Sequence, residues 1–196
     1  MKIVDRLVVK LIEDGAIEEE DREIYEYGFH NGIIMLVNIV LTVLIGVCMK
    51  MFVESILFMI SYIPIRTYAG GIHAKTQLRC FIYSNLLVVV ILACANILSS
   101  NLLALVVLGV IAAGIIICLA PVEDQNKPLD DEEVRVYGKK ARRILLADIV
   151  LAIVLGLVSF EHGTATVIVS VFTLSICLLL GYVKNYFIKR KAEEVH

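Results

Sequence analysis

Six apolar runs, parted by short polar segments, constrain this chain more than any other feature: Phe29 to Met49, Met51 to Ile65, Phe81 to Leu98, Leu102 to Ala120, Ile144 to Phe160 and Thr164 to Val183. About 20 helical residues cross the roughly 30 Å hydrocarbon layer of a bilayer, where a helix satisfies its own backbone polar groups. With 59% hydrophobic and 19% charged residues and a mean hydropathy of +0.86, the chain is not a soluble domain. The expectation is an all-α membrane protein, a single polytopic domain over residues 1–196 with about six transmembrane helices. The second run is short, since some 15 residues reach only about 22 Å. Snorkelling Arg66 with interfacial Tyr62 and Tyr68 extends it, or it folds as a re-entrant partner of the first run.

Charge orients the spans. With six crossings, every Lys and Arg except Lys50 falls on one side, in residues 1–28, 66–80, 121–143 and 184–196. Short cytoplasmic segments collect basic residues, so both termini and the segment 66–80 are expected in the cytoplasm. Acidic residues share those segments and bring the net charge to −2, which argues against a nucleic-acid partner. The first 28 residues scatter charges among apolar positions and do not read as a cleavable leader.

Within residues 1–28, Ile3, Val4, Leu7, Val8, Leu11 and Ile12 share one helical face, which predicts an interfacial amphipathic helix lying on membrane lipid and ended by Gly15. An acidic connector then leads to the first span. The turns Ser99–Asn101 and Glu161–Thr164 are short enough to make antiparallel hairpins of spans three and four (residues 81–120) and of spans five and six (144–183). In the loop 121–143, Pro121 and Pro128 stop span four and keep the chain extended, and DDEE followed by KKARR predicts a short amphipathic cytoplasmic helix.

Residues 66 to 80, RTYAGGIHAKTQLRC, interrupt the apolar pattern with the groups that chemistry needs. Cys48, Cys94, Cys118 and Cys177 lie within spans, where a thiol behaves as a small core hydrophobe. Cys80 stands at the cytoplasmic mouth of span three, in a reducing compartment that keeps it free. Arg79 and Lys75 put positive charge beside it, and the thiolate is the form that attacks carbonyls. Of the four histidines, His162 is on an outer turn and His196 is terminal, which leaves His30 and His73 on the inner side.

His73 precedes Cys80 by seven residues, which in one unbroken helix puts their backbones about 10 Å apart, beyond the roughly 3 Å of proton transfer. The helix must therefore break, and Gly70 and Gly71 supply the backbone freedom. A helix starting near Lys75 or Thr76 places Cys80 in an early turn, with Thr76 and Gln77 within reach of a developing oxyanion. On spacing alone, incidental interfacial residues compete with a catalytic pair.

Asp148, one turn into span five, either orients His73 or pairs with Arg143 or another base at the helix mouth. Asn38 and Asn85 read as interhelical glue. No zinc motif is present, so neither metal nor cofactor is expected. A small transporter or peptide exporter, with Asp148, Asn38 and glycines lining a path, is the alternative to a cysteine enzyme.

The pattern R-x-Y-A-G-G-x-H-A-x(5)-C from Arg66 to Cys80, followed by four apolar runs and a Pro- and Lys-containing basic loop at 121–143, resembles the accessory gene regulator B family along the whole chain. The resemblance implies a multi-pass membrane cysteine endopeptidase of Gram-positive quorum sensing. Its substrate would be a small amphipathic propeptide whose acidic C-terminal tail is removed through an acyl-enzyme thioester, the product closing to a cyclic thiolactone or lactone. Carried over by position, Cys80 is the nucleophile, His73 the general base and acid, and Arg66 and Gly71 supporting residues. Lys139, Lys140, Arg142 and Arg143 are candidates for attracting the acidic tail, competing with a purely topological role. A homodimer is also implied.

Overall fold

The computed structural model of the protein describes residues 2–72, 76–123 and 129–193. His73 and Lys75 lie outside the described residues, as does Lys127. Among the described residues the chain is all-helical, with seven α-helices and one short 3-10 helix: α1 (Lys2–Glu13), α2 (Arg22–Cys48), α3 (Phe52–Ala69), α4 (Gln77–Leu98), α5 (Leu102–Leu119), α6 (Asp131–Leu157) and α7 (Glu161–Glu193), with the 3-10 turn at Glu19–Asp21. The chain divides into two compact units, Met1–Thr42 and Val43–His196.

In the first unit, α1 forms where its apolar periodicity predicts, with Val4 and Val8 buried and Asp5, Arg6 and Lys10 exposed. Gly15, at φ +68°, ends it. The Gly15 N–H donates to the Ile12 carbonyl and the Ala16 N–H to the Leu11 carbonyl, both at 2.9 Å, a Schellman closure that satisfies the last helical acceptors. Arg22 opens α2 by donating to Glu26 at 2.8 Å and to Glu19 at 3.4 Å. No breaker separates it from the first apolar run, so the acidic connector and that run form one helix.

In the second unit, α7 packs against α3, α4, α5 and α6. Half of its apolar window (50%) is buried within the protein, against 22% or less in the other apolar helices, which makes it the central element. Two core clusters surround it. Phe58, Val88, Leu92, Leu105 and Val169 fill one end of the bundle. Ile65, Ile116, Leu145, Leu174 and Leu178 fill the end at which α3 terminates.

Four helical stretches are long and apolar enough to cross a bilayer among the described residues: Glu19–Cys48, Gln77–Leu98, Leu102–Leu119 and Glu161–Ile188. The second and fifth predicted spans are not among them: Glu54, Arg66 and the polar residues of α3 lower its mean hydropathy, and α6 carries Asp148 beyond a charged first half. Even so, α3 extends through 18 residues, about 27 Å, because Arg66 to Ala69 remain helical.

Two expected boundaries change. The helix foreseen in the 121–143 loop forms, started by a capping box of Asp130 and Glu133, but runs on to Leu157 as one 27-residue helix because no proline interrupts it. Glu161 to Thr164, expected as a turn, is instead the first turn of α7; the reversal lies at Val158 to Phe160, where Ser159 takes φ +59°. The Ser99–Asn101 turn is as expected, with Asn101 accepting from the Ala104 N–H at 3.0 Å to cap α5.

Candidate active site

The break required between His73 and Cys80 is present, since α3 ends at Ala69 and α4 begins at Gln77. Beyond Ala69 the chain forms a short strap, pinned on both sides. The Val122 N–H donates to the Ala69 carbonyl at 2.9 Å and the Gly71 N–H to the Val122 carbonyl at 3.2 Å, a single parallel bridge between Gly70 and Val122. The Ile72 N–H then donates at 3.2 Å to the carbonyl of Cys177, in the middle of α7.

Both glycines are required by this docking. Gly70 has φ +73° and ψ −140°, a region nearly closed to L side chains, and a Cβ there would lie 2.1 Å from the Val122 carbonyl oxygen. Gly71 has φ +111°, and its Cβ would lie 3.0 Å from the Cys177 oxygen. Across the contact, a Cβ on Gly181 would meet the Ile72 nitrogen at 2.9 Å. The glycines turn the chain, as expected, and also let two backbones touch.

Arg66, in the last turn of α3, reaches over the strap. One guanidinium nitrogen donates to the Gly70 carbonyl at 2.5 Å and the other to the Ile72 carbonyl. A planar fork spans two acceptors that an ammonium cannot bridge in the same way. Arg66→Lys is therefore expected to cost about 1.5–3 kcal/mol, the range for one charge-assisted hydrogen bond. The check is a thermal aggregation midpoint in detergent, which should fall measurably below the wild-type value.

At α4, Thr76 is the N-cap, its hydroxyl oxygen accepting from the Arg79 N–H at 3.3 Å, and the Cys80 N–H makes an early helical bond to the Thr76 carbonyl at 3.0 Å. Cys80 is exposed and carries a free thiol. Gln77 begins the helix and is engaged in an interaction of its own.

Tyr62, one turn before Arg66 on α3, brings its hydroxyl to 4.0 Å from the Cys177 sulfur. From sequence, Tyr62 reads only as an interfacial aromatic and Cys177 only as core. Their place becomes visible once α3 and α7 are paired, the one available hint being the i, i+4 spacing of Tyr62 and Arg66.

The remaining candidates are separated by function and place. Asp148 makes no ion pair with Arg143 or any other described base; it is buried, and its Oδ2 and the buried Ser61 Oγ lack a hydrogen-bond partner among the described residues. Arg142 donates to the Ile117 carbonyl at 3.3 Å, capping the end of α5, and the Lys140 ammonium sits 4.7 Å over the Tyr68 ring. Lys139 and Arg143 are exposed. Asn85 donates to Phe81 of its own helix at 2.8 Å. Cys48 and Cys118 are exposed rather than packed in the core, as apolar residues on the lipid side of a bundle are.

The sequence pattern of the family described as AgrB, accessory gene regulator B, matches residues 4–181. An AgrB-like protein of Clostridium perfringens strain SM101 is 24% identical over 189 residues, covering 88% of this chain and 86% of its own length. A second, from C. perfringens strain 13, matches with the same identity and coverage. Another AgrB-like protein of strain 13 is 30% identical over 92 residues, 47% of this chain and 49% of its own. No solved structure matches.

Proposed function

The chain belongs to the accessory gene regulator B family, and from that premise we propose that it is a membrane-embedded cysteine endopeptidase that cleaves the C-terminal tail from a small quorum-sensing propeptide. In this reading the chain crosses the cell membrane of a Gram-positive bacterium six times, with both termini and the active site cytoplasmic. The observation that carries it is the exposed Cys80 thiol in the opening turn of α4, after a break in the helix and a pinned strap whose Ile72 is the immediate neighbour of His73.

His73 takes the thiol proton, and the Cys80 sulfur attacks the carbonyl that precedes the tail. Collapse of the tetrahedral intermediate breaks the C–N bond, and His73 returns the proton to the departing amine. The acyl group remains on Cys80 as a thioester. A thiol or hydroxyl within the same peptide then attacks that thioester, releases the thiolate and closes a thiolactone or lactone. Because water competes at this stage, the acyl-enzyme must be shielded until the ring closes. The amphipathic leader of the propeptide rests on lipid beside the bundle, Lys139, Lys140, Arg142 and Arg143 attract the acidic tail, and the working unit is a homodimer.

The test is to reconstitute the purified protein in lipid vesicles with a synthetic propeptide carrying an amphipathic leader, a central segment with a Cys or Ser, and an acidic tail, and to follow the mixture by mass spectrometry. Tail release together with an acyl adduct on Cys80 is expected. Folded protein that transports the peptide intact, without cleavage, would instead establish the exporter reading.

A further inference from the structure

Three residues of α7 spaced four apart, Cys177, Gly181 and Asn185, form one ridge along that helix. Each meets either the strap or the segment bridged to it. The Cys177 carbonyl receives the Ile72 N–H, and the missing side chain of Gly181 leaves room for the backbone of Gly71 and Ile72, whose atoms a Cβ would meet at 2.9 to 3.1 Å. One turn further, the Asn185 side-chain amide donates to the Glu123 carbonyl at 2.8 Å. A carbonyl can only accept, so the NH2 of Asn185 is the group that faces it.

Glu123 directly follows Val122, which donates to Ala69 and accepts from Gly71, so the path of the strap is set by where residues 122 and 123 lie. Hydroxyls along α7 return to carbonyls of their own helix, as Ser170 does to Thr166 at 2.7 Å and Thr173 to Val169 at 2.8 Å. Asn185 instead reaches a backbone atom 62 positions away. Its bond refers Val122 to the same helix that receives Ile72, and both anchors of the strap are thereby fixed from one ridge. From sequence, Asn185 is only part of a basic terminal segment, and nothing near it in the chain points to Glu123.

Building on the peptidase reading, we propose that Asn185 is a positioning residue for the reaction at Cys80: its amide holds Glu123 and Val122 against α7, so that the strap delivers His73 to the thiol. Asn185 exchanges no proton; the thiol proton still passes to His73 and from there to the departing amine. Its action is on the distance between base and thiol, which proton transfer limits to about 3 Å. Gly70, Gly71 and Ile72 are all that separate the end of α3 from His73, which leaves little chain to absorb a shift of Val122. A displacement of about 1 Å at reacting groups can cost about 100-fold in rate.

Asn185→Leu removes the donor at similar size, and Asn185→Asp keeps the shape while setting a carboxylate oxygen against the Glu123 carbonyl. In vesicles with the synthetic propeptide, at a temperature where both variants remain folded, kcat for tail release is expected to fall about 10- to 100-fold with KM within about twofold of wild type. Asn185→Gln, which keeps an amide donor on a longer arm, should recover part of the loss. Iodoacetamide should alkylate Cys80 more slowly in the Leu and Asp variants, approaching the rate in His73→Gln, because the thiolate is the reactive form and a displaced base no longer takes its proton. A hydrogen bond that served stability alone would lower the aggregation midpoint and leave kcat and alkylation of the folded protein at wild-type values, which would overturn the assignment. A loss expressed wholly in KM, a fall in kcat with wild-type alkylation, or a Gln variant as slow as Leu would overturn it too. If the wild-type protein itself releases no tail, the peptidase reading fails; if it cleaves and the Asn185 variants cleave equally well, only the role of Asn185 fails.

Discussion

Cys80→Ala is expected to lower tail release by about 10⁴- to 10⁶-fold, the scale on which nucleophile deletions act in enzymes that form acyl intermediates. The size of the effect reflects the absence of any second route to the thioester: without the sulfur, no acyl adduct forms and no ring can close from it. Stability should barely move, because Cys80 is exposed and substitutions at such sites usually fall within about 0.5 kcal/mol. Those two outcomes together separate catalysis from folding. Mass spectrometry of the propeptide reads the first, and the aggregation midpoint in detergent reads the second. Cleavage that persisted in Cys80→Ala would remove this residue from the chemistry, and a transporter would keep its function in that variant. His73→Gln should approach the same loss, since the thiol then lacks its base and the departing amine its acid.

Gly70→Ala is expected to be the most damaging single methyl group in the protein. The added carbon would stand 2.1 Å from the Val122 oxygen, a backbone atom that no rotamer change can move, and the residue would have to keep φ +73°. Strain at such an angle costs about 1–3 kcal/mol. Relief requires parting the strap from Val122, which gives up the Gly71 and Val122 backbone hydrogen bonds at roughly 1 kcal/mol each. A net loss of about 2–4 kcal/mol should result, together with a fall in cleavage that persists at temperatures where the variant is still folded, because the residues leading to His73 are then displaced. Gly114→Ala is the matched control: a Cβ there has nothing within 4 Å, and alanine in a helix is favoured over glycine by about 0.5–1 kcal/mol. Equal stability and activity in the two variants would refute the account of the strap.

Much of this arrangement is legible before any coordinates, for a physical reason in each case. The apolar runs disclose the helices because lipid imposes length and composition on whatever crosses it. The seven-residue interval from His73 to Cys80 demands a break because helix geometry separates the two groups, and the break lies where the glycines allow. Thr76 is recognisable at the start of α4 because a hydroxyl there meets an orphan N–H.

The rest depends on pairings distant in sequence. Nothing local to Gly70 announces Val122, and nothing local to Gly71 announces the Cys177 carbonyl or Gly181. Asp148 looks like an ion-pair member beside Arg143, yet the α-helical turn carries it inward against α3, where Ser61 is its neighbour. Helix ends at Asp131, Glu161 and Ala69 shift because periodicity marks the apolar stretch and not the polar turns that continue it.

The two anchors of the strap also differ in when they exist. Ribosomes deliver the chain from its N-terminus at about 5–20 residues per second. The strap at 70–72 is therefore made well before Val122, and some hundred residues before Cys177 and Gly181 in α7. During that interval α3 and α4 can enter the bilayer, but the peptide leading into His73 has no helix to lie on. A chain cut short before α7 holds both His73 and Cys80 and still lacks the backbone acceptor of the Ile72 N–H, in the residue before His73. The strap thus gains its last backbone anchor only when α7, the final helix, arrives.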